Sequence, residues 1–143
     1  MNVASILKSK GRAVSTVRPN ATLLDVVKKL APKKIGAVVV VGDSGRVDGI
    51  ISERDIIRAV ADHGVHALGM TVSEVMTRVV VSCQEMSELD ELMEMMTKGR
   101  FRHLPVIEDD ALVGIISIGD VVKYHLAEVQ LEVSAMRNYI ATG

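Results

Sequence analysis

Ser52 and Asp55 stand three residues apart, and so do Ser117 and Asp120. Each pair closes a longer motif. Gly49-Ile50-Ile51-Ser52-Glu53-Arg54-Asp55 is matched sixty-five residues later by Gly114-Ile115-Ile116-Ser117-Ile118-Gly119-Asp120. An apolar run that breaks at a serine reads as a strand turning into a helix. The first amides of such a helix lack partners within it and carry partial positive charge, which favours a phosphate. The serine hydroxyl can donate to a phosphate or ribose oxygen, and the aspartate can accept both hydroxyls of a ribose. Gly119 lets a phosphate approach its backbone, whereas Arg54 in the equivalent place supplies charge. The same spacing is also a capping box. Thr22-x-x-Asp25, Ser87-x-x-Asp90 and Thr71-x-x-Glu74 repeat it elsewhere in the chain. One hydroxyl can cap a helix and touch a phosphate, so both roles stay open.

A second group of chemistry-bearing residues is Arg100, Arg102 and His103. An arginine can hold a phosphate bidentately; a solvated cationic loop is the plainer alternative. On a strand, Arg102 and His103 face opposite sides and need not share a task. Ile35 and Gly36 stand at the equivalent place in the first repeat. That site is therefore expected to be less cationic unless residues from elsewhere compensate, and the two sites should differ in ligand or affinity. Lys8, Lys10 and Arg12 could meet phosphates but read first as a solvated charge run. His63, His66 and His125 lack further ligands at metal-binding spacing. Cys83 has no catalytic partner and reads as a buried structural thiol.

Repeated elements must position these groups. In the first repeat a short apolar-periodic segment (Val3 to Leu7) precedes a strand over Ala13 to Val17. A helix from Leu23 to Leu30 follows, capped by Thr22 and limited by Pro32. Val38 to Val41 is a β-branched run of the kind buried on both faces. After a Gly42–Gly45 turn, Val47 to Ile51 is a strand, and Ser52 opens a helix to about His63. The second repeat follows the same order: a short helix at Thr71 to Met76, a strand from Arg78 to Cys83, and a helix carrying Leu89, Leu92, Met93 and Met96. Strands at Leu104 to Ile107 and Leu112 to Ile116 precede a helix opened by Ser117. One unit of about sixty residues buries too little apolar surface to be robust alone, so two should share a core. Beyond Leu126 the helix carries too much apolar surface for a free tail and is expected to dock on the body or on a second subunit.

Composition narrows the function. Of 143 residues, 48 % are hydrophobic but only 2 % aromatic, so the core is aliphatic and a planar ligand must pack on Val, Ile, Leu or Met. A net charge of −1 gives no broad footprint for nucleic acid. One cysteine excludes an internal disulfide and a four-cysteine zinc site, and fits a reducing cytoplasm. No apolar run approaches transmembrane length, and no signal-peptide segment is evident. A nucleophile–base pair or a Walker glycine loop is not legible, which argues against an enzyme acting on nucleotides.

At this point the chain resembles a tandem CBS-domain protein, the pair often called a Bateman module, over residues 1 to about 127. The resemblance rests on the two Gly-to-Asp motifs, on Ile35-Gly36-Ala37-Val38-Val39-Val40 and on Arg102-His103-Leu104-Pro105-Val106. It implies an α/β fold of two β-α-β-β-α units related by a pseudo-twofold axis and packed through their sheets. Residues 1–68 would form the first repeat, 69–127 the second and 128–143 a C-terminal helix. It also implies clefts for adenine nucleotides and a homodimer of such pairs. The stand-alone form is similar to bacterial proteins that bind AMP or NAD. Carried over by motif, Ser52, Arg54, Asp55, Ser117, Gly119 and Asp120 would hold ribose and phosphate, with Asp120 ahead of Asp55. The strand edges at Thr16, Val17 and Pro19 and at Ser82 and Cys83 would read adenine through their backbone; Glu85 replaces the proline in the second. Ile35, Gly36 and Ala37, and Arg102, His103, Leu104 and Pro105, would face the ligand across each cleft. The expected function is a non-catalytic regulatory module that signals to an unidentified partner or through its dimer. It would use no metal, bind no nucleic acid and not insert into a membrane. A structural dimer with an unoccupied cleft is the alternative.

Overall fold

The structure is a computed structural model that describes residues 1–142; Gly143, the end of the expected C-terminal helix, lies outside them. Helix α1 (Val3–Lys10) leads to β1 (Thr16–Val17), α2 (Leu23–Lys33), β2 (Ala37–Val41), β3 (Val47–Ser52) and α3 (Glu53–His63). A 3-10 turn over Gly64–Gly69 precedes α4 (Val72–Val75), α5 (Leu89–Gly99), β4 (His103–Glu108), β5 (Ala111–Ser117) and α6 (Ile118–Thr142). The first sheet has the order β1-β2-β3, with β1 parallel and β3 antiparallel to β2. The second sheet is the antiparallel pair β4-β5, registered His103 to Ser117.

Three boundaries differ from the sequence reading. The strand over Ala13 to Val17 shrinks to Thr16–Val17, extended only by Ser15, whose carbonyl accepts from the Val39 amide. The strand over Arg78 to Cys83 does not form. Only Cys83 bridges Val106, giving its amide to the Pro105 carbonyl and accepting from the Ile107 amide. The residues before it lie largely in solvent, Val79 at 85 % exposure, so no second strand flanks them. Helix α2 also runs past Pro32 to Lys33. A proline in the last turn forfeits only one hydrogen bond. The helix stops instead at Lys34, in left-handed conformation with φ of 53°, where the Lys34 and Ile35 amides cover the Ala31 and Leu30 carbonyls.

The two repeats exchange their leading helices. Val3, Ile6 and Leu7 of α1 are buried with Leu89, Leu92, Leu104 and Ile116 of the second repeat. Val72 and Met76, around α4, are buried with Leu23, Val26, Val38 and Ile51 of the first. Matching backbone bonds lock the exchange: the Leu23 amide donates to the Met70 carbonyl and the Leu89 amide to the Met1 carbonyl. The expected boundary at 68/69 therefore divides the sequence but not the two cores. The exchange also explains the repeated glycines. A Cβ on Gly114 would stand 2.7 Å from a Leu7 methyl, and one on Gly49 would stand 2.7 Å from the Met76 sulfur and the Thr77 carbonyl oxygen. Each glycine makes room for the other repeat's leading segment.

Helix α6 continues without a break through residues 127 and 128. Val121 and Tyr124 are buried in the second core, and Glu128 pairs with the N-terminal amine at 2.9 Å. Farther on, Leu131, Val133, Met136 and Ile140 are exposed, so this half does not dock on the body. No helix among the described residues is long and apolar enough to cross a membrane.

Candidate ligand site

Strand β3 delivers Ser52 to the start of α3, where both halves of a capping box are made. The Asp55 amide donates to Ser52 Oγ at 3.3 Å, and the Ser52 amide donates to Asp55 Oδ2 at 2.8 Å. The Ser52 hydroxyl also reaches Asp55 Oδ2 at 3.1 Å. Both contacts to the Asp55 carboxylate fall on Oδ2, and no salt bridge engages it among the described residues. The capping and ligand readings thus coexist at this turn.

The turn opens on a cavity of about 220 Å³. Its walls come from both repeats: Gly36, Ala37, Ser52, Arg54, Asp55 and Arg58 on one side, and Thr77, Val79, Val81, Arg100, Phe101, Arg102 and His103 on the other. Four arginines therefore line one space, against two acidic residues, Glu53 and Asp55. Among the described residues, none of Arg54, Arg58, Arg100 and Arg102 is in a salt bridge. Their charge is unspent and suits an anion.

Arg102 and His103 share this cavity although strand alternation predicts opposite faces. Strand β4 begins only at His103, so Arg102 precedes the alternating backbone. The His103 ring packs on Gly36, whose Cβ, if present, would lie 3.3 Å from the imidazole Cε1. Burial lowers the His103 pKa, Glu53 and Asp120 oppose that shift, and Lys10 and Arg102 add to it. Burial thus favours the neutral imidazole.

The second turn is built alike and occupied differently. The Ser117 amide donates to Asp120 Oδ2 at 2.9 Å and the Asp120 amide to Ser117 Oγ at 3.1 Å. Lys10 Nζ then donates to the same Oδ2 at 2.6 Å and to the Ile115 carbonyl at 2.7 Å. Burial alone would raise the Asp120 carboxyl, but Lys10 and the Ser117 amide and hydroxyl outweigh it and hold the pKa below its ordinary value. Asp120 is thus paired with a lysine of this same chain, whereas Asp55 has no such partner among the described residues.

The other expected contacts are dispersed. Thr16 and Val17 line a shallow hollow with Lys28 and Lys29, away from Ser52. The Pro19 carbonyl accepts from the Ser73 amide. Ser82 is exposed, while Cys83, Leu104 and Pro105 are buried in the second half. Burial pushes the Cys83 thiol up to about 12, which leaves it inert. Ile35 closes the end of α2, and Gly119 sits beside Ser117 in the second turn. Sequence reasoning missed Arg58, Thr77, Val79 and Phe101. Arg58 was legible as one helical turn after Arg54; Thr77 and Val79 were not, because they arrive through the exchange of leading segments, nor was Phe101, which the connection from α5 to β4 brings in. Among the described residues no group of three or more His, Cys, Asp or Glu is placed to hold a metal ion.

A family model for the CBS domain matches the chain twice, over residues 8–62 and 72–127. A mitochondrial CBS domain-containing protein of Arabidopsis thaliana, CBSX3, is 32 % identical over 99 % of this chain and 72 % of its own length. The crystal structure of a CBS-domain containing protein from Agrobacterium tumefaciens superposes with a TM-score of 0.83 at 52 % identity, covering 85 % of this chain and 91 % of that one. The CBS domain pair of protein MJ0100, solved in complex with 5′-methylthioadenosine and S-adenosyl-L-methionine, superposes with a TM-score of 0.80 at 26 % identity over 90 % and 98 % of the two chains.

Proposed function

The chain belongs to the CBS-domain family, and from that premise we propose that it is a non-catalytic regulatory module that binds a phosphorylated adenine nucleotide in the Ser52–Asp55 cavity. One observation carries the reading: four arginines outside any salt bridge line one cavity together with Asp55. Asp55 Oδ1 would accept from a ribose hydroxyl, and the α3 amides and arginines would receive phosphate. The apolar walls Val79, Val81 and Ile50 would sandwich the adenine, as the scarcity of aromatic residues requires.

The MJ0100 ligands share the adenosine part but not the charge. Methylthioadenosine is neutral and S-adenosylmethionine carries a sulfonium cation. A cavity with this excess of arginine favours AMP, ADP, ATP or NAD over both. The Ser52 hydroxyl accepts from the Asp55 amide and donates to the Asp55 carboxylate, a capping arrangement that fits binding rather than turnover. The signal would pass through the relative position of the two units to a partner chain or across a dimer.

Calorimetric titration with AMP, ATP, NAD, methylthioadenosine and S-adenosylmethionine tests the reading. A phosphorylated ligand should bind well below millimolar levels and more tightly than the two uncharged-or-cationic ones. Equal affinity for AMP and methylthioadenosine, or none for any nucleotide, would remove it.

A further inference from the structure

Val122, Leu126, Val129, Val133, Met136 and Ile140 of α6 recur at steps of four, three, four, three and four residues. All six are exposed, Met136 by 66 % and Ile140 by 74 %. Alternating steps of three and four average 3.5 residues, the period that keeps an apolar stripe facing a single partner helix along a left-handed supercoil. The stripe is separate from the face that docks on the body. Val121, Tyr124 and Glu128 define that face, and the exposed stripe lies roughly 110° around the helix from it. Body packing and seam pairing therefore do not compete.

The charges beside the stripe identify the occupant. Glu132 immediately precedes Val133, and Arg137 immediately follows Met136. In a parallel pair in register, the residue flanking one seam position faces the residue five farther along the second helix. Glu132 of one copy then meets Arg137 of the other, and the contact is made twice by symmetry. Antiparallel pairing sets flanking positions against their own kind, so Glu132 never meets Arg137. β-Branched Val133 and Ile140 occupy the seam positions where branching favours two parallel strands.

We propose that the distal part of α6 is a parallel two-stranded coiled-coil seam and that its partner is a second copy of this chain. The seam involves no residue of the Ser52–Asp55 cavity, so it stands whether or not a nucleotide binds there.

Light scattering on the full chain after size exclusion reads the state directly. The wild type should have twice the 15.4 kDa chain mass at ~10 µM, and Val133→Glu should be a monomer. Glu132→Arg should weaken association roughly tenfold by setting like charges together. Adding Arg137→Glu should restore it, as only the parallel register allows. Met136→Cys should form an intermolecular disulfide under mild oxidation, whereas Leu131→Cys, on another face, should not; native Cys83 is buried and silent. A monomeric wild type, a dimer that survives Val133→Glu, or failure of both the charge swap and the Met136→Cys cross-link would overturn the proposal. Should Val133→Glu aggregate, the cross-link decides.

Discussion

In the first repeat the aspartate of the serine turn shares a cavity with four arginines; in the second the equivalent aspartate is paired with a lysine. The difference traces to the exchanged leading segments. Leu7 fills the hollow over Gly114, and Met76 fills the one over Gly49. Three residues past Leu7 comes Lys10, which reaches Asp120. Three residues past Met76 comes Val79, which lines the cavity beside Asp55 and carries no charge. One difference in an equivalent place leaves Asp55 without a paired cation and gives Asp120 one. A pseudo-symmetric backbone thus presents two unlike sites, and the one with the unpaired aspartate lies in the repeat whose own sequence has fewer cations near its central strand.

The sharpest break between the two halves is expected at the aspartates. Asp55→Asn should weaken AMP binding by about 100-fold, since hydrogen bonds to a charged group contribute about 1.5–3 kcal/mol. Asp120→Asn should leave that affinity unchanged. Equal losses in calorimetry would make the two turns equivalent after all. The glycines divide the halves in a second way. Gly49→Ala should destabilise the fold by about 2–3 kcal/mol, because its Cβ meets the Thr77 backbone carbonyl as well as Met76. Gly114→Ala meets only the flexible end of Leu7 and should cost about 1 kcal/mol. Urea unfolding of the two variants ranks them, and the reverse order would show that the exchanged segments are held differently than their contacts indicate.

Lys10 and Val79 allow the asymmetry itself to be turned over. Lys10→Met should free the Asp120 carboxylate and add a second, weaker nucleotide per chain, while lowering stability by about 1 kcal/mol through loss of a half-buried ion pair. Val79→Lys should place an ammonium near Asp55 and weaken the first site roughly tenfold. A wild type that already binds two nucleotides with equal affinity, or a Lys10→Met variant that still binds one, would show that Lys10 is no barrier.

Much of this was legible in the chain. The sixty-five-residue repeat and the capping boxes at Ser52 and Ser117 predict the strand-to-helix turns, and β3 and α3 meet at the expected residue. The β-branched run Val38 to Val40 is fully buried, as a strand covered on both faces must be. What stayed hidden depends on long-range packing. Arg102 and His103 are expected at the second turn because they precede its strand; His103 does pair with Ser117 there, but both residues also line the cavity beside Ser52. The Lys10–Asp120 pair joins residues 110 positions apart, and no local spacing encodes it. The failed strand over Arg78 to Cys83 has an apolar, β-branched sequence and lacked only a neighbour to cover it.

The smallest expected effect is also the one that links the two clefts. His103 lies against Gly36 and Glu53 on one side and within the field of Lys10 and Asp120 on the other. Its pKa is lowered, chiefly by burial, so between its folded and unfolded values the unfolded chain binds a proton that the folded chain refuses. Stability is therefore complete above the unfolded value of 6.5 and declines as the pH falls below it, until the folded imidazole itself protonates. The lowered Asp120 acts in a separate window: its contribution persists above 3.8 and is lost only on further acidification. His103→Gln should flatten the first decline and leave the second, as pH-dependent thermal melts would show. Lys10→Met removes a cation that holds His103 down, so the His103 pKa, followed by NMR of its ring protons, should rise toward 6.5. A phosphate bound beside Arg102 should raise it as well. If neither change moves the imidazole, the clefts share a wall but not a signal.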